Sequence, residues 1–241
     1  MNNNSRKITS GTREWADHNV NCISGCANDC RYCYAKMIAK RFHRKTDESW
    51  KDMEVREKDV TKNYGHYHGR VMFPSSHDIV DTPTVKEACF TVIDKLLNSG
   101  NELLITSKPS LSITKEIIEE FHHYKEQIQF RFTITSIENA LLSFWEQNAP
   151  PYEERLESLR LAFAEGFKTS VSIEPFLDEH PWHLVYELDP YVTESIWVGT
   201  MNYIPRNNVP VKEKQEYDRI RRIIEPNNLR KIHYILKDHP M

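Results

Sequence analysis

The chain has 241 residues, of which 39% are apolar and 28% charged, and its formal net charge is −3. That length suits one barrel or α/β unit with a large core better than two small domains, and no apolar run approaches the roughly 18 residues of a membrane span. The first ten residues are Asn-rich, carry Arg6 and Lys7 and lack an apolar stretch, so neither a secretory signal nor an anchor is expected, and the cytoplasm is the expected compartment. The acidic balance gives no global attraction to phosphate backbones, so any nucleic-acid contact must come from a local patch. Seven glycines, with no GxGxxG or GxxxxGKS/T pattern, argue against a phosphate-cradling loop.

Taken in chain order, short apolar strands alternate with amphipathic helices, which predicts parallel βα units. Strands are expected over 18–24, 71–74, 103–107, 130–136, 170–175, 195–200 and 232–236. Helices are expected over 34–45, 84–97, 113–124, 151–163 and 212–224. Residues 1–17 read as an N-terminal extension and 18–241 as the domain proper. The polar stretch 46–69 is long for a βα connection and reads as an insertion. Right-handed crossovers make such a run an open or closed barrel with its functional loops at the carboxyl ends of the strands.

Four of the five cysteines, Cys22, Cys26, Cys30 and Cys33, fall within twelve residues, and Cys89 lies apart in an apolar helical pattern. A disulfide framework suits small secreted domains, which this chain does not resemble. Structural zinc usually closes four ligands from two separated knuckles, and here there is one short loop with no second Cys pair or HxxxH. The x3 and x2 spacing of Cys26, Cys30 and Cys33 favours three thiolates holding a four-iron cluster, with one iron open to a substrate or cofactor. Cys22 reads as a packed, inert thiol. Eleven scattered histidines form no further metal motif, and the cysteines suffice for one cluster.

The string from Gly25 to Ala35, with Tyr32 and Tyr34 flanking Cys33, resembles the cluster loop of radical S-adenosylmethionine (SAM) enzymes, specifically the spore photoproduct lyase-like branch. The resemblance runs from about Asn21 to Pro175. It implies a partial (β/α)6-type barrel of parallel strands, to which 232–236 would add a seventh C-terminal strand. It further implies a [4Fe-4S] cluster on Cys26, Cys30 and Cys33, with SAM chelating the open iron. Reductive cleavage of SAM would give a 5′-deoxyadenosyl radical that abstracts hydrogen from a substrate, and an external one-electron reductant of flavodoxin or ferredoxin type would supply the electron.

By the same resemblance, Tyr32 and Tyr34 border the cofactor, Ser76 and Asp78 meet the methionyl end of SAM, and Lys108 binds its carboxylate. Thr135 and Ser136 sit near its ribose and carboxylate. Glu174, at the end of an apolar run, suits either a ribose or substrate hydrogen bond or a structural salt bridge. The segment Ser75-Ser76-His77-Asp78 also suits a turn and a helix cap. In the named lyase a cysteine at the end of the second strand returns a hydrogen atom to the product, and here that place holds Ser75-Ser76. The substrate is not legible. The basic run Lys36, Lys40, Arg41, Arg44 and Lys45 keeps a nucleic acid or nucleotide within consideration, as does a second run at Arg219, Arg221, Arg222, Arg230 and Lys231, although solvated helix faces explain both. The contrasting reading is a non-catalytic zinc or iron–sulfur module that contacts nucleic acid.

Overall fold

The computed structural model describes residues 11–205 and 209–239. In chain order the longer elements are β1 (His18–Asn19), β2 (Ile23–Ser24), α1 (Tyr34–Arg41), β3 (Glu54–Val55), α2 (Glu57–Thr61), β4 (Val71–Phe73), α3 (Pro83–Asn98), β5 (Leu103–Ser107), α4 (Leu111–Phe121), β6 (Ile128–Thr133), α5 (Asn139–Trp145), α6 (Tyr152–Ala164), β7 (Lys168–Ile173), α7 (Pro181–Leu188), β8 (Ile196–Val198), α8 (Lys214–Ile223) and α9 (Pro226–Leu236). Six strands form one parallel sheet in the order β1-β4-β5-β6-β7-β8, the partial barrel expected of this sequence.

Strand alternation sorts the side chains. Phe130 and Phe132 of β6 and Val171 and Ile173 of β7 face outward into the main core, where Leu96, Ile117, Phe121 and Leu159 of the covering helices meet them. Each such buried side chain contributes about 1.5–3 kcal/mol relative to exposure. Gln129, Arg131 and Ser170 face the opposite way and bond to one another, Gln129 Nε2 and Arg131 Nε both donating to Ser170 Oγ at 3.0 and 3.1 Å. Arg131 lies between Trp15, just before β1, and Trp197 on β8, at 4.7 and 5.4 Å from the ring centres. Trp15 and Trp197 meet edge to face at 5.9 Å. These residues thus close the gap between the two edge strands at the foot of the barrel. Burial lowers the Arg131 pKa to about 10.

The expected strand 18–24 is split. Only His18 and Asn19 join the barrel, while Ile23 and Ser24 pair antiparallel with Glu54 and Val55. Residues 46–69 therefore clamp the cysteine loop: the amides of Cys26 and Arg56 donate to Trp50 and Cys22 carbonyls at 2.9 and 2.8 Å. Gly25 is required there. Its φ is +96°, and a Cβ would stand 2.4 Å from the Asp52 carbonyl oxygen.

The expected helix 34–45 stops at Arg41. His43 takes φ 54°, and the Arg44 amide reaches back to Ala39 O at 2.9 Å, closing the helix with a left-handed residue. The seventh strand at 232–236 is corrected to helix α9. Pro226 opens it, and Leu229, Ile232 and Leu236 recur at helical spacing toward the core. The β-branched look of Ile-His-Tyr-Ile-Leu loses to that periodicity.

Candidate active site at the strand ends

The cysteine loop lies across the carboxyl ends of the strands and is tied to several of the connections that leave them. Asn21 binds the loop after β4: its Oδ1 accepts from the Ser75 and Ser76 amides at 2.8 and 2.9 Å, and its Nδ2 donates to Ser75 Oγ at 3.0 Å. The Tyr34 hydroxyl donates to the Ser75 carbonyl. Asn28 Nδ2 donates to Asp78 Oδ2 at 2.9 Å, and the same oxygen accepts from the Lys108 amide at 2.9 Å. Beyond β6, the Arg31 amide donates to Trp145 O, and Asn148 Nδ2 donates to Ala27 O, both at 2.9 Å.

Cys26 and Cys30 are buried and Cys33 is half-buried at the N-cap of α1, where its sulfur accepts from the Lys36 amide at 3.4 Å. Burial pushes the Cys26 thiol up to about 12, with help from the Asp78 and Cys33 charges. Burial also raises Cys30 well above the ordinary thiol value, Lys108 opposing and Glu146 and the other two thiols adding. Cys33 is raised by burial as well, against the Lys36 and Ala35 amides and Lys108. Three thiols that repel one another once ionised are a donor set that iron would stabilise, since ligation displaces their protons. Among the described residues no three His, Cys, Asp or Glu side chains converge on a single-ion site. A multi-iron cluster takes its thiolates at separate corners, so it makes no such demand.

A second feature fits a sulfur-rich guest. Trp50 packs with Cys26, Cys33, Ala35 and Ala39, yet its buried indole N–H has no acceptor. Buried donors are nearly always paired, and thiolate or sulfide sulfur would supply the acceptor. The cysteine loop therefore fits a [4Fe-4S] cluster.

Beside Cys30 stands a buried polar group that the sequence did not reveal. Glu146, after α5, is fully buried; its Oε2 pairs with Arg155 Nη1 at 2.6 Å, and its Oε1 accepts from the Tyr32 hydroxyl and from Thr135 Oγ1, the latter at 2.8 Å. Burial opposes its charge, but Arg155 and Lys108 outweigh that and hold its pKa below the usual carboxylate range. Lys108 Nζ lies 4.0 Å from Glu146 Oε1 and 5.5 Å from the Tyr32 ring centre. Burial works against the Lys108 charge, yet Cys30 and Glu146 raise its pKa, so it stays a cation. Arg155 was legible in principle: it falls on the same helical face as Tyr152, Leu156 and Leu159, where a charge needs a partner.

The structure thus brings Cys26, Cys30, Cys33, Tyr32, Asp78, Lys108 and Thr135 into one network, with Tyr34 and Ser76 on its rim. Asp78 spends its carboxylate on the chain itself, and burial raises its pKa. Ser136 donates to Asp178, whose Oδ2 accepts from the Ile137 amide at 3.2 Å. Alongside lies a recess of about 330 Å³ bordered by Ile137, Glu138, Asp178, Glu179, His183 and Arg219. Glu174, just past the carboxyl end of β7, faces the barrel interior and makes no hydrogen bond to this network among the described residues. It accepts from Ser172 Oγ at 3.3 Å and lies so close to Gly199 that a Cβ there would stand 2.2 Å from its Oε1.

The Radical SAM superfamily profile matches residues 20–185, well over half of the sequence. The chain belongs to the Radical SAM superfamily. A radical SAM core also accounts for the likeness to solved structures of spore photoproduct lyase. One, with bound AdoMet and dinucleoside spore photoproduct, gives a TM-score of 0.53 at 15% identity over 90% of this chain and 64% of that one. Another, complexed with the dinucleoside, gives 0.52 at 15% over 92% and 77%. At that identity the shared property is the partial-barrel fold. An uncharacterized protein of Acidianus two-tailed virus is 30% identical over 172 residues, 67% of this chain and 55% of the relative. An uncharacterized protein of Methanocaldococcus jannaschii is 26% identical over 167 residues, 68% and 62%. The radical SAM chain described here therefore matches between about half and three fifths of the length of those relatives.

Proposed function

We propose that this chain is a radical SAM enzyme with a single [4Fe-4S] cluster on Cys26, Cys30 and Cys33. The cluster and SAM together would supply reductive cleavage of the cofactor's C–S bond and, from it, hydrogen abstraction from a substrate carbon. The observation that carries this reading is the three-thiol loop, held over the strand ends beside a lysine that remains charged while largely enclosed.

The chain's own residues do the rest. The three thiols give up their protons to bind iron. Asp78, bonded to Asn28 and to the Lys108 amide, fixes the loop relative to β5. Lys108 offers its ammonium to the SAM carboxylate, and Glu146, anchored by Arg155, sets where that ammonium stands. Tyr32 spends its hydroxyl on Glu146 and presents its ring toward the lysine. Tyr34 and Ser76 border the methionyl end, and Thr135 and Ser136 the ribose side. Glu174 serves the barrel interior. The substrate enters by the recess beside Ser136 and Asp178, where Glu138, Asp178 and Glu179 outnumber Arg219, itself paired with Glu216 at 2.7 Å, and favour a polar or cationic group.

The test is to incubate the iron-loaded protein with dithionite and SAM under argon and follow 5′-deoxyadenosine and methionine by mass spectrometry. Formation of both, abolished in Cys30→Ala, supports the proposal. Intact SAM beside a fully loaded and reducible cluster overturns it.

A further inference from the structure

Helix α1 wears its amphipathicity inside out. Tyr34, Met37, Ile38 and Arg41 recur at i, i+3, i+4 and i+7, the stripe that a surface helix normally turns to the core. Here small residues of the adjoining face, Ala35 and Ala39, are buried against Trp50 and Cys26, and the large ones stand in solvent. Met37 is 39% exposed, Ile38 43% and the following Phe42 63%, while Tyr34 at the near end of the stripe is tied to Ser75. So tight a group of exposed large apolar side chains marks an interaction surface.

Its charges narrow the partner. Three of the five cations in this stretch are already matched: Lys36 by Asp29 at 2.8 Å and Asp47 at 3.4 Å, Lys40 by Asp47, and Lys45 by Glu54 at 2.8 Å. Arg41 and Arg44 are in no ion pair among the described residues, and instead flank the Phe42 ring at 6.0 and 5.8 Å. A nucleic-acid track needs many free cations along a backbone. Exposed Met and Phe with two arginines match the composition of protein–protein interfaces, and the free arginines select an acidic partner.

Position supplies the remaining argument. The helix starts at Cys33, its cap, and its buried face packs on Cys26, so the exposed stripe is about one helix diameter, roughly 10 Å, from the proposed cluster. We propose that the α1 stripe is the docking surface of a small acidic one-electron carrier protein of flavodoxin or ferredoxin type. This rests on the cluster reading above. One electron leaves the reduced carrier and enters the oxidised cluster, and no atom or proton is transferred.

The test uses Phe42→Glu and the pair Arg41→Glu with Arg44→Glu, all at exposed positions outside the cysteine network. Reduction of the loaded protein by a photoreduced acidic flavodoxin should slow at least tenfold in each, while reduction by dithionite, which needs no docking, stays unchanged. Binding of oxidised flavodoxin to the iron-free protein by calorimetry should weaken in parallel and should fade with salt. That arm judges the surface even if the protein takes up no iron, a result that would sink the cluster reading instead. Wild-type rates and affinities in both variants overturn the proposal. So does a single-stranded oligonucleotide that displaces the carrier from this face, or a wild-type dimer that the variants dissociate and the carrier does not.

Discussion

At the scale of single residues, the cluster reading divides the five cysteines. Cys22 and Cys89 are both fully buried with sulfurs 3.8 Å apart, packed on each other and away from the loop that carries the other three. Alanine at Cys26, Cys30 or Cys33 should abolish iron retention after anaerobic reconstitution, whereas alanine at Cys22 or Cys89 should retain it. Iron loss in Cys22→Ala as complete as in Cys30→Ala would mean a fourth protein ligand. Lys108→Ala should leave iron bound and weaken SAM by ten- to more than a hundredfold, the roughly 1.5–3 kcal/mol of a hydrogen bond to a charged group. Equilibrium dialysis with labelled SAM reads this directly, and an unchanged affinity removes Lys108 from the cofactor site. Arg155→Met strands the Glu146 charge in the interior, so unfolding in urea should show a loss of about 3–5 kcal/mol. Glu146 also sets an acid dependence. Its folded pKa is depressed, so its contribution is complete above the ordinary value of about 4.3 and fades as pH falls through the lower folded value. The stability gap between wild type and Glu146→Gln should therefore narrow only at acid pH, and a gap that is constant down to pH 3 would contradict the assignment.

At the scale of elements, the loop after β4 decides a chemical question. Where spore photoproduct lyase, which the cysteine loop resembles, places a cysteine to return hydrogen, the chain has Ser75 and Ser76, and their amides are held by Asn21. An O–H bond is much harder to break homolytically than S–H. Cys89 lies in α3 with its sulfur enclosed beside Cys22. The loaded protein should therefore cleave SAM without clean, multiple-turnover repair of dinucleoside spore photoproduct. Product analysis by chromatography checks this, and efficient repair would require another donor such as Tyr64 or Tyr67. The elements also mark what could be read in advance. The runs 103–107 and 84–97 were legible because continuous apolar strands and a stripe ending before Ser99-Gly100 each have a distinctive period. The split of 18–24 was not, because pairing of Ile23 and Ser24 with Glu54 and Val55 is decided by contact across thirty residues. The seventh strand failed because β-branched composition competed with helical spacing over only five residues. Helices α5 and α7 span only 7 and 8 residues, too few to establish a helical period, so the apolar pattern did not announce them.

At the scale of the whole molecule, the partial barrel explains why the site was more legible as a list of residues than as a network. Strand ends can be located from sequence, so Asp78, Lys108, Thr135 and Ser136 were named together as strand-end residues. Which of them meet is decided by connections from other elements. Glu146 arrives from beyond α5 and Arg155 from α6, and Asn28 reaches Asp78 from the cysteine loop. Glu174, located by the same strand-end logic, joins the barrel interior because β7 turns it there. No helix of the described residues is long and apolar enough to cross a membrane. The central claim is that Cys26, Cys30 and Cys33 hold a SAM-binding four-iron cluster. Anaerobic reconstitution followed by iron and sulfide analysis and electron paramagnetic resonance of the reduced protein tests it most directly. The account predicts close to four iron and four sulfide per chain and a spectrum that changes when SAM is added. Stoichiometric zinc in place of iron, or a four-iron signal indifferent to SAM, would contradict it.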